Sequence, residues 1–298
     1  MDGLDSTPLI SLGNIYHGRR IYAKCEFLAL SGCFKIRGAE HLIRHLERTG
    51  GARRLVVPSM GNTALGAAVA AHAHGFGMTG VVPETISGAK DERLRALGVE
   101  LVKLNGGGSE LLSRAAEISS ETGGYFVHPH LDPHWTDGYQ AILDEILQEL
   151  PDCRTVVFPL GGGGLLLGLE AARRRIGCSV QLLGCEPQSY AKYASDGTPR
   201  TGTIADGLRL ERPHPPVQET IAAAEIAIAL ISEAQIRVGL RSLCQLQGLL
   251  VEPSSAITLG ALNGARPLPE PVCLILTGAN IAPEDHRRLM RQDEGGAA

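Results

Sequence analysis

Thr155-Val156-Val157-Phe158-Pro159-Leu160-Gly161-Gly162-Gly163-Gly164-Leu165 is the stretch on which the fold turns. Its β-branched and apolar opening, Thr155 to Pro159, reads as a strand, and Leu165 to Ile176 follows as a helix. Val180 to Cys185 is a further apolar strand. A strand, a helix and a strand in succession argue for parallel pairing with both sheet faces covered. Four consecutive glycines at the strand-to-helix junction exceed what a turn needs, since each costs roughly 0.5–1 kcal/mol of backbone order. They suit a nest of N–H groups at the positive end of a helix, a seat for phosphate. A flexible loop is the plain alternative. The run does not match G-x-G-x-x-G, and no G-K-[ST] follows, which weakens dinucleotide and nucleoside triphosphate readings.

The same rhythm extends in both directions. Upstream, Arg54 to Pro58 is a strand, Asn62 to His74 an Ala-rich helix and Met78 to Pro83 a strand. Lys90 to Leu97 is then a helix, Val99 to Leu104 a strand and Ser109 to Thr122 a helix. Trp135 to Leu150 reads as one helix. Downstream come strand Glu225 to Ile231, helices Ser232 to Gly248 and Ser254 to Leu262, and strand Val272 to Thr277. The expected fold class is α/β: two lobes, each an open, mostly parallel sheet flanked by helices. A division near residue 130, at Pro129-His130-Leu131-Asp132-Pro133, predicts a large cofactor-binding domain of residues 1–34 with 131–298. Residues 35–130 then form a small domain.

Composition narrows the class. The chain has 298 residues, enough for two domains at about 150 residues each. Glycine, 37 residues or about 12%, stands above the usual level of roughly 7%. With 44% hydrophobic and 20% charged residues, disorder, collagen and coiled coil are excluded. A net charge of −4 provides no field for nucleic acid or an anionic membrane. Seven cysteines, scattered and without a C-x-x-C pair, read as reduced, mostly buried thiols. The acidic start, Met1 to Asp5, is not a signal peptide, and no apolar run reaches the ~18 residues of a membrane span. A soluble, cytoplasmic protein is expected. His128, His130 and His134 lie around Pro129 and Pro133, where convergent zinc geometry is not expected. Trp135 is expected to pack at a helix start.

Two further junctions carry candidate chemistry. In Ser31-Gly32-Cys33-Phe34-Lys35-Ile36-Arg37-Gly38-Ala39 a lysine opens a helix, where the dipole disfavours its charge. Taken alone it reads as a solvated lysine, but a helix-start lysine of lowered pKa is also a good amine for a Schiff base. In Pro58-Ser59-Met60-Gly61-Asn62-Thr63 a polar loop enters a helix. It reads equally as a carboxylate seat and as a helix cap. A phosphate cradle, a Schiff-base lysine and a carboxylate seat together describe pyridoxal phosphate with an amino acid.

In these motifs the chain resembles the tryptophan-synthase-β-like, fold-type II pyridoxal phosphate enzymes, and most of all their serine/threonine dehydratase branch. Thr7-Pro8-Leu9 is similar to the opening T-P-L of that family. Lys24-Cys25-Glu26 with Cys33 to Ala39 resembles K-x-E and S-F-K-x-R-G-A. Ser59 to Asn62 is similar to S-x-G-N, Gly161 to Gly164 to the G-G-G-G loop, and Thr203 to Gly207 to T-I-A-D-G. Val251 to Ala256 resembles V-E-P-S-S-A, and Thr277 to Asn280 resembles S-G-G-N.

The resemblance implies that Lys35 bears the cofactor and, once freed, removes the α-proton of the substrate. It places Phe34 and Asn62 at the cofactor, the latter at the ring 3′-oxygen, and the phosphate on Gly161, Gly162, Gly163 and Gly164. Thr277 would face the pyridine nitrogen, a hydroxyl that leaves it neutral. Ser59, Met60, Gly61, Asn62 and Thr63 would bind the substrate carboxylate. The implied reaction is β-elimination from a serine- or threonine-like β-hydroxy amino acid, releasing a 2-oxo acid and ammonia. The implied assembly is a homodimer.

Departures from the pattern sharpen the expectation. Met60 stands where racemases of the family carry a second serine, and it cannot take a proton, so racemisation is disfavoured. Thr63 replaces the histidine usual in dehydratases and is similar to the cysteine-synthase branch, which keeps β-replacement as the alternative. Gly138-Tyr139-Gln140-Ala141 departs from G-Q-G-T, so a bulkier wall near the substrate is expected. Where metal-dependent relatives have an acidic pair six residues apart, this chain has Glu186 and Lys192. A lysine ammonium there would repel a cation and is a candidate internal counter-ion in its place, so no metal is expected at that site. The chain ends soon after Asn280, so an isoleucine-sensing regulatory domain is not expected.

Overall fold

The computed structural model describes residues 6–291 apart from 14, 17, 60, 87, 195–199, 211 and 265–266. The chain divides into two units, one of residues 29–140 and one of residues 6–28 with the described residues from 141 onward.

The first unit is built on a parallel sheet of four strands. β3 (Arg54–Pro58), β4 (Gly77–Pro83), β5 (Glu100–Leu104) and β6 (Tyr125–Phe126) lie in the order β5-β4-β3-β6. The two middle strands are almost continuously buried, as expected of strands covered on both faces. The helices are α1 (Lys35–Thr49), α2 (Asn62–Ala73), α3 (Gly88–Ala96) and α4 (Gly108–Thr122). In α1, Ile36, Ala39, Leu42, Ile43 and Leu46 form one buried stripe, spaced at three and four residues. α2 is buried almost all round, which is why its sequence is mostly Ala with small neighbours. Gly66 lets it approach the start of α1: a Cβ there would stand 2.8 Å from the backbone of Lys35 and Ile36.

In the second unit a six-stranded sheet runs in the order β1-β2-β10-β7-β8-β9. Its strands are β1 (Leu9–Ser11), β2 (Ile21–Lys24), β7 (Thr155–Pro159), β8 (Gln181–Pro187), β9 (Ala227–Ile231) and β10 (Val272–Ile275). Only the β1–β2 pair is antiparallel; the others are parallel. The helices are α6 (Gln140–Glu149), which begins at the boundary, α7 (Gly164–Ile176), α8 (Pro215–Ala223), α9 (Glu233–Gln247), α10 (Pro253–Gly260) and α11 (Pro283–Arg291). Because β10, β7 and β8 are parallel neighbours, the segments leaving their C-terminal ends lie along one edge of this sheet. Those segments carry Thr277 and the four glycines, and Glu186 is the last residue but one of β8 itself. Lys24, at the end of β2, is fully buried, with Nζ 2.7 Å from Glu145 Oε2.

Two sequence expectations need correction. Trp135 to Leu150 is not one helix: α5 (Pro133–Thr136) and a 3-10 turn, Asp137–Tyr139, precede α6. The turn seats Gly138 against α1, where a Cβ would fall 2.3 Å from the Arg37 carbonyl oxygen. The strand expected from Glu225 starts only at Ala227, because Glu225 has a positive φ of 50°. No helix of the described residues is long and apolar enough to cross a membrane.

Substituting Gly66→Ala is expected to lower the unfolding free energy by about 1–3 kcal/mol, as overpacking against backbone does. Urea unfolding of the two proteins checks it, and unchanged stability would show that α1 and α2 are not in firm contact.

Candidate cofactor and substrate site

Lys35 is the first residue of α1, flanked by Phe34, with no side chain capping the helix start and no acidic residue in its first turn. Its Nζ stands 4.9 Å from the centre of the Phe34 ring and 5.7 Å from that of Tyr139. The two rings are 4.8 Å apart. Trp135 Nε1–H donates to the Tyr139 hydroxyl, and both side chains are fully buried. Lys35 is half-buried, with the Phe34 and Tyr139 rings beside its amine. A cation–π attraction would favour the charged form, but it is small beside the loss of hydration. Desolvation accordingly lowers Lys35 from the ordinary lysine value of 10.5 to about 8, with Cys33 opposing weakly.

The serine loop lies in the same unit. Cys33 Sγ donates to the Asn62 carbonyl oxygen over 3.6 Å, linking the approach to α1 with the first residue of α2. Ser59 Oγ accepts the N–H groups of Gly61 and Ala64, each at 3.1 Å. The helix-cap reading therefore holds for Ser59. It does not displace the carboxylate reading, because the serine O–H hydrogen is not used in accepting those two bonds. Thr63 is buried in the first turn, whereas Gly61 and Asn62 are half-buried. Met60 lies outside the described residues.

In the other unit the glycines leave β7 and enter α7. Gly163 has a φ of +89°, and a Cβ there would stand 2.4 Å from Val217, so a side chain fails on both counts. A Cβ on Gly161 would press on the Gly207 carbonyl oxygen at 3.3 Å. Gly161, Gly162 and Gly163 donate no backbone hydrogen bond among the described residues. Together these features make a side-chain-free cradle at a helix N-terminus, which fits a phosphate.

Thr277 is buried just beyond β10, its Oγ1 3.2 Å from Ser255 Oγ. Ser255 in turn donates to the Gly278 carbonyl oxygen at 2.8 Å and accepts the Gly278 N–H at 2.7 Å. Ser255 thus sets the orientation of Thr277. The V-E-P-S-S-A resemblance of Val251 to Ala256 assigns Ser255 no role by itself, and the bulky residue expected from Gly138 to Ala141 is Tyr139, beside the Lys35 amine.

The family described as "Pyridoxal-phosphate dependent enzyme" matches residues 1–278. An L-threonine ammonia-lyase of Geobacter sulfurreducens is 33% identical over 273 residues, covering 89% of this chain and 68% of that protein. The structure of maize serine racemase superimposes with a TM-score of 0.87 at 25% identity, over 96% of this chain and 92% of that one. An O-acetylserine dependent cystathionine beta-synthase from Helicobacter pylori gives 0.81 at 27% identity, over 93% and 94%. The chain belongs to the pyridoxal-phosphate-dependent enzymes. Within them it is a fold-type II enzyme of the serine/threonine dehydratase branch, and pyridoxal phosphate is its cofactor.

Lys35 is protonated below about pH 8 and a neutral amine above it. The rate at which cofactor-free protein captures pyridoxal phosphate, followed by the yellow absorbance, is expected to rise with pH through a midpoint near pH 8 and to level off about one unit above it. A rate still climbing steeply towards pH 10 would show an ordinary, solvated lysine.

Proposed function

We propose that the protein is an ammonia-lyase that acts by β-elimination on a serine- or threonine-like β-hydroxy amino acid. The single observation that carries this is Lys35, a helix-start amine beside the Phe34 and Tyr139 rings and lowered to about 8 by desolvation. Such a group is a nucleophile towards an aldehyde and a base near neutral pH.

Pyridoxal phosphate supplies the electron sink that makes an α-proton removable. Phe34, Lys35 and Asn62 would hold the cofactor ring, Asn62 by donating to its 3′-oxygen. The N–H groups of Gly161, Gly162, Gly163 and Gly164 would receive its phosphate. The Thr277 hydroxyl, beside Ser255, would stand at the ring nitrogen, where a neutral partner suits elimination. Ser59 uses its O–H, and Gly61, Asn62 and Thr63 the start of α2, to orient the substrate carboxylate. That fixes the α-proton towards Lys35, which takes it up on Nζ as the β-hydroxyl leaves. Hydrolysis of the released product yields the 2-oxo acid and ammonia. Phe34 and Tyr139 beside Nζ limit its hydration, which favours the neutral amine over the ammonium. The setting of this reading is a cytoplasmic homodimer.

Thr63 favours a second reading, β-replacement, in which a nucleophile adds where the hydroxyl has left. The two differ in one requirement. Elimination releases a 2-oxo acid from the amino acid alone; replacement turns over only with a second substrate.

An amino-acid panel assayed for 2-oxo acid and ammonia, without added nucleophile, is expected to respond to serine or threonine. Lys35→Ala should lower kcat by at least the roughly 10²–10⁴-fold of a lost general base and remove the yellow absorbance. Product formed only with an added thiol or amine would establish the synthase, and intact absorbance in Lys35→Ala would remove Lys35 from its role.

A further inference from the structure

Glu186 and Lys192 form a buried pair whose side chains are both wholly unexposed, beside the glycine loop. Lys192 Nζ donates to Glu186 Oε1 at 3.0 Å, to the Leu160 carbonyl at 3.1 Å and to the Leu208 carbonyl at 3.3 Å. An ammonium has three hydrogens and no acceptor, and here three acceptors meet it. The Glu186 carboxylate is closed in turn by the N–H groups of Lys192, Tyr193 and Ala194, at 3.2, 3.1 and 3.0 Å. Burial lowers Lys192 from the ordinary lysine value, and the Glu186 charge opposes that shift.

The neighbouring residue works on the same loop. Tyr193 Oη donates to the Gly162 carbonyl oxygen at 3.4 Å and accepts the His214 N–H at 3.3 Å. Residues 192 and 193 therefore hold the carbonyls of Leu160 and Gly162. In a trans peptide the C=O and the N–H point in opposite directions. Holding those two carbonyls turns the N–H groups of Gly161 and Gly163 away from residues 192 and 193. These are two of the donors that the cradle offers.

The acceptors around Nζ, one carboxylate and two carbonyls, are also the hard oxygen donors a magnesium or calcium ion prefers. The lysine charge stands among them and repels such an ion, so a divalent cation does not fit. We propose that Lys192 is a positioning residue for the phosphate cradle, a built-in cation that orients the Leu160–Gly161 peptide and takes the place of a divalent metal. The proposal rests on the assignment of the cofactor phosphate to the glycine loop, and not on which amino acid is turned over.

The test titrates cofactor-free protein with pyridoxal phosphate and, in parallel, with pyridoxal, which has no phosphate, reading absorbance rather than turnover. Wild-type affinity for pyridoxal phosphate should be the same in chelator and in magnesium. Lys192→Met should bind pyridoxal phosphate about ten- to a hundredfold more weakly, as for a lost charge-assisted hydrogen bond, while pyridoxal binding stays unchanged. Lys192→Asp supplies a second carboxylate beside Glu186. It should bind pyridoxal phosphate weakly in chelator and recover when magnesium or calcium is added. Magnesium strengthening wild-type binding would overturn the proposal. So would Lys192→Met with wild-type affinity, or with equal losses for both ligands. Should that variant not fold, Lys192→Asp decides: indifference to divalent ions there refutes the built-in cation, and if it too does not fold, the wild-type titration alone decides.

Discussion

A parallel strand that hands the chain to a helix leaves the first N–H groups of that helix without partners inside it. This constraint shapes both units. After β3, Ser59 answers it by accepting the N–H groups of Gly61 and Ala64. After β7 no backbone acceptor among the described residues answers it for Gly161, Gly162 and Gly163. The parallel order of β10, β7 and β8 then places Thr277, the glycine loop and Glu186 on one sheet edge. The site follows from where helices must start.

Two described lysines, Lys24 and Lys192, are buried and Lys35 is half-buried, and their surroundings separate their roles. Lys24 has two glutamates in reach, Glu145 at 2.7 Å and Glu149 at 3.3 Å, and ties α6 to β2. Lys192 has Glu186 and two carbonyls, and ties the glycine loop to β8. Lys35 faces two aromatic rings with no carboxylate in its helix turn. A buried ammonium persists where acceptors repay its lost hydration. Without them the neutral amine gains, and that is the form able to bond an aldehyde. Residue type is the same in all three; the acceptors differ.

Much of this was legible in the chain. The strands Arg54–Pro58 and Thr155–Pro159 match their sequence reading end to end, because continuous apolar runs have few alternatives in an α/β frame. Strands of two to four residues, β1, β2 and β6, were not read, since so short a run shows no period. The helix α8 was not read either, because its sequence opens on Pro215-Pro216, which reads first as a loop. Lys35, the serine loop and the four glycines were recognisable because each breaks a local preference: a cation at a positive helix end, a polar loop before an Ala-rich helix, glycines beyond what a turn needs.

What the sequence by itself determined is the α/β class, the lysine, the glycine cradle and the family they mark. Those are properties of local pattern and residue type. The tertiary structure alone decided that Tyr139, held by Trp135, faces Lys35, that Ser255 orients Thr277, and that Lys192 meets Leu160, Glu186 and Leu208 together. These contacts join residues far apart in the chain or on different elements. Their energies depend on the acceptors and the water that packing leaves at each atom, and no local pattern encodes them.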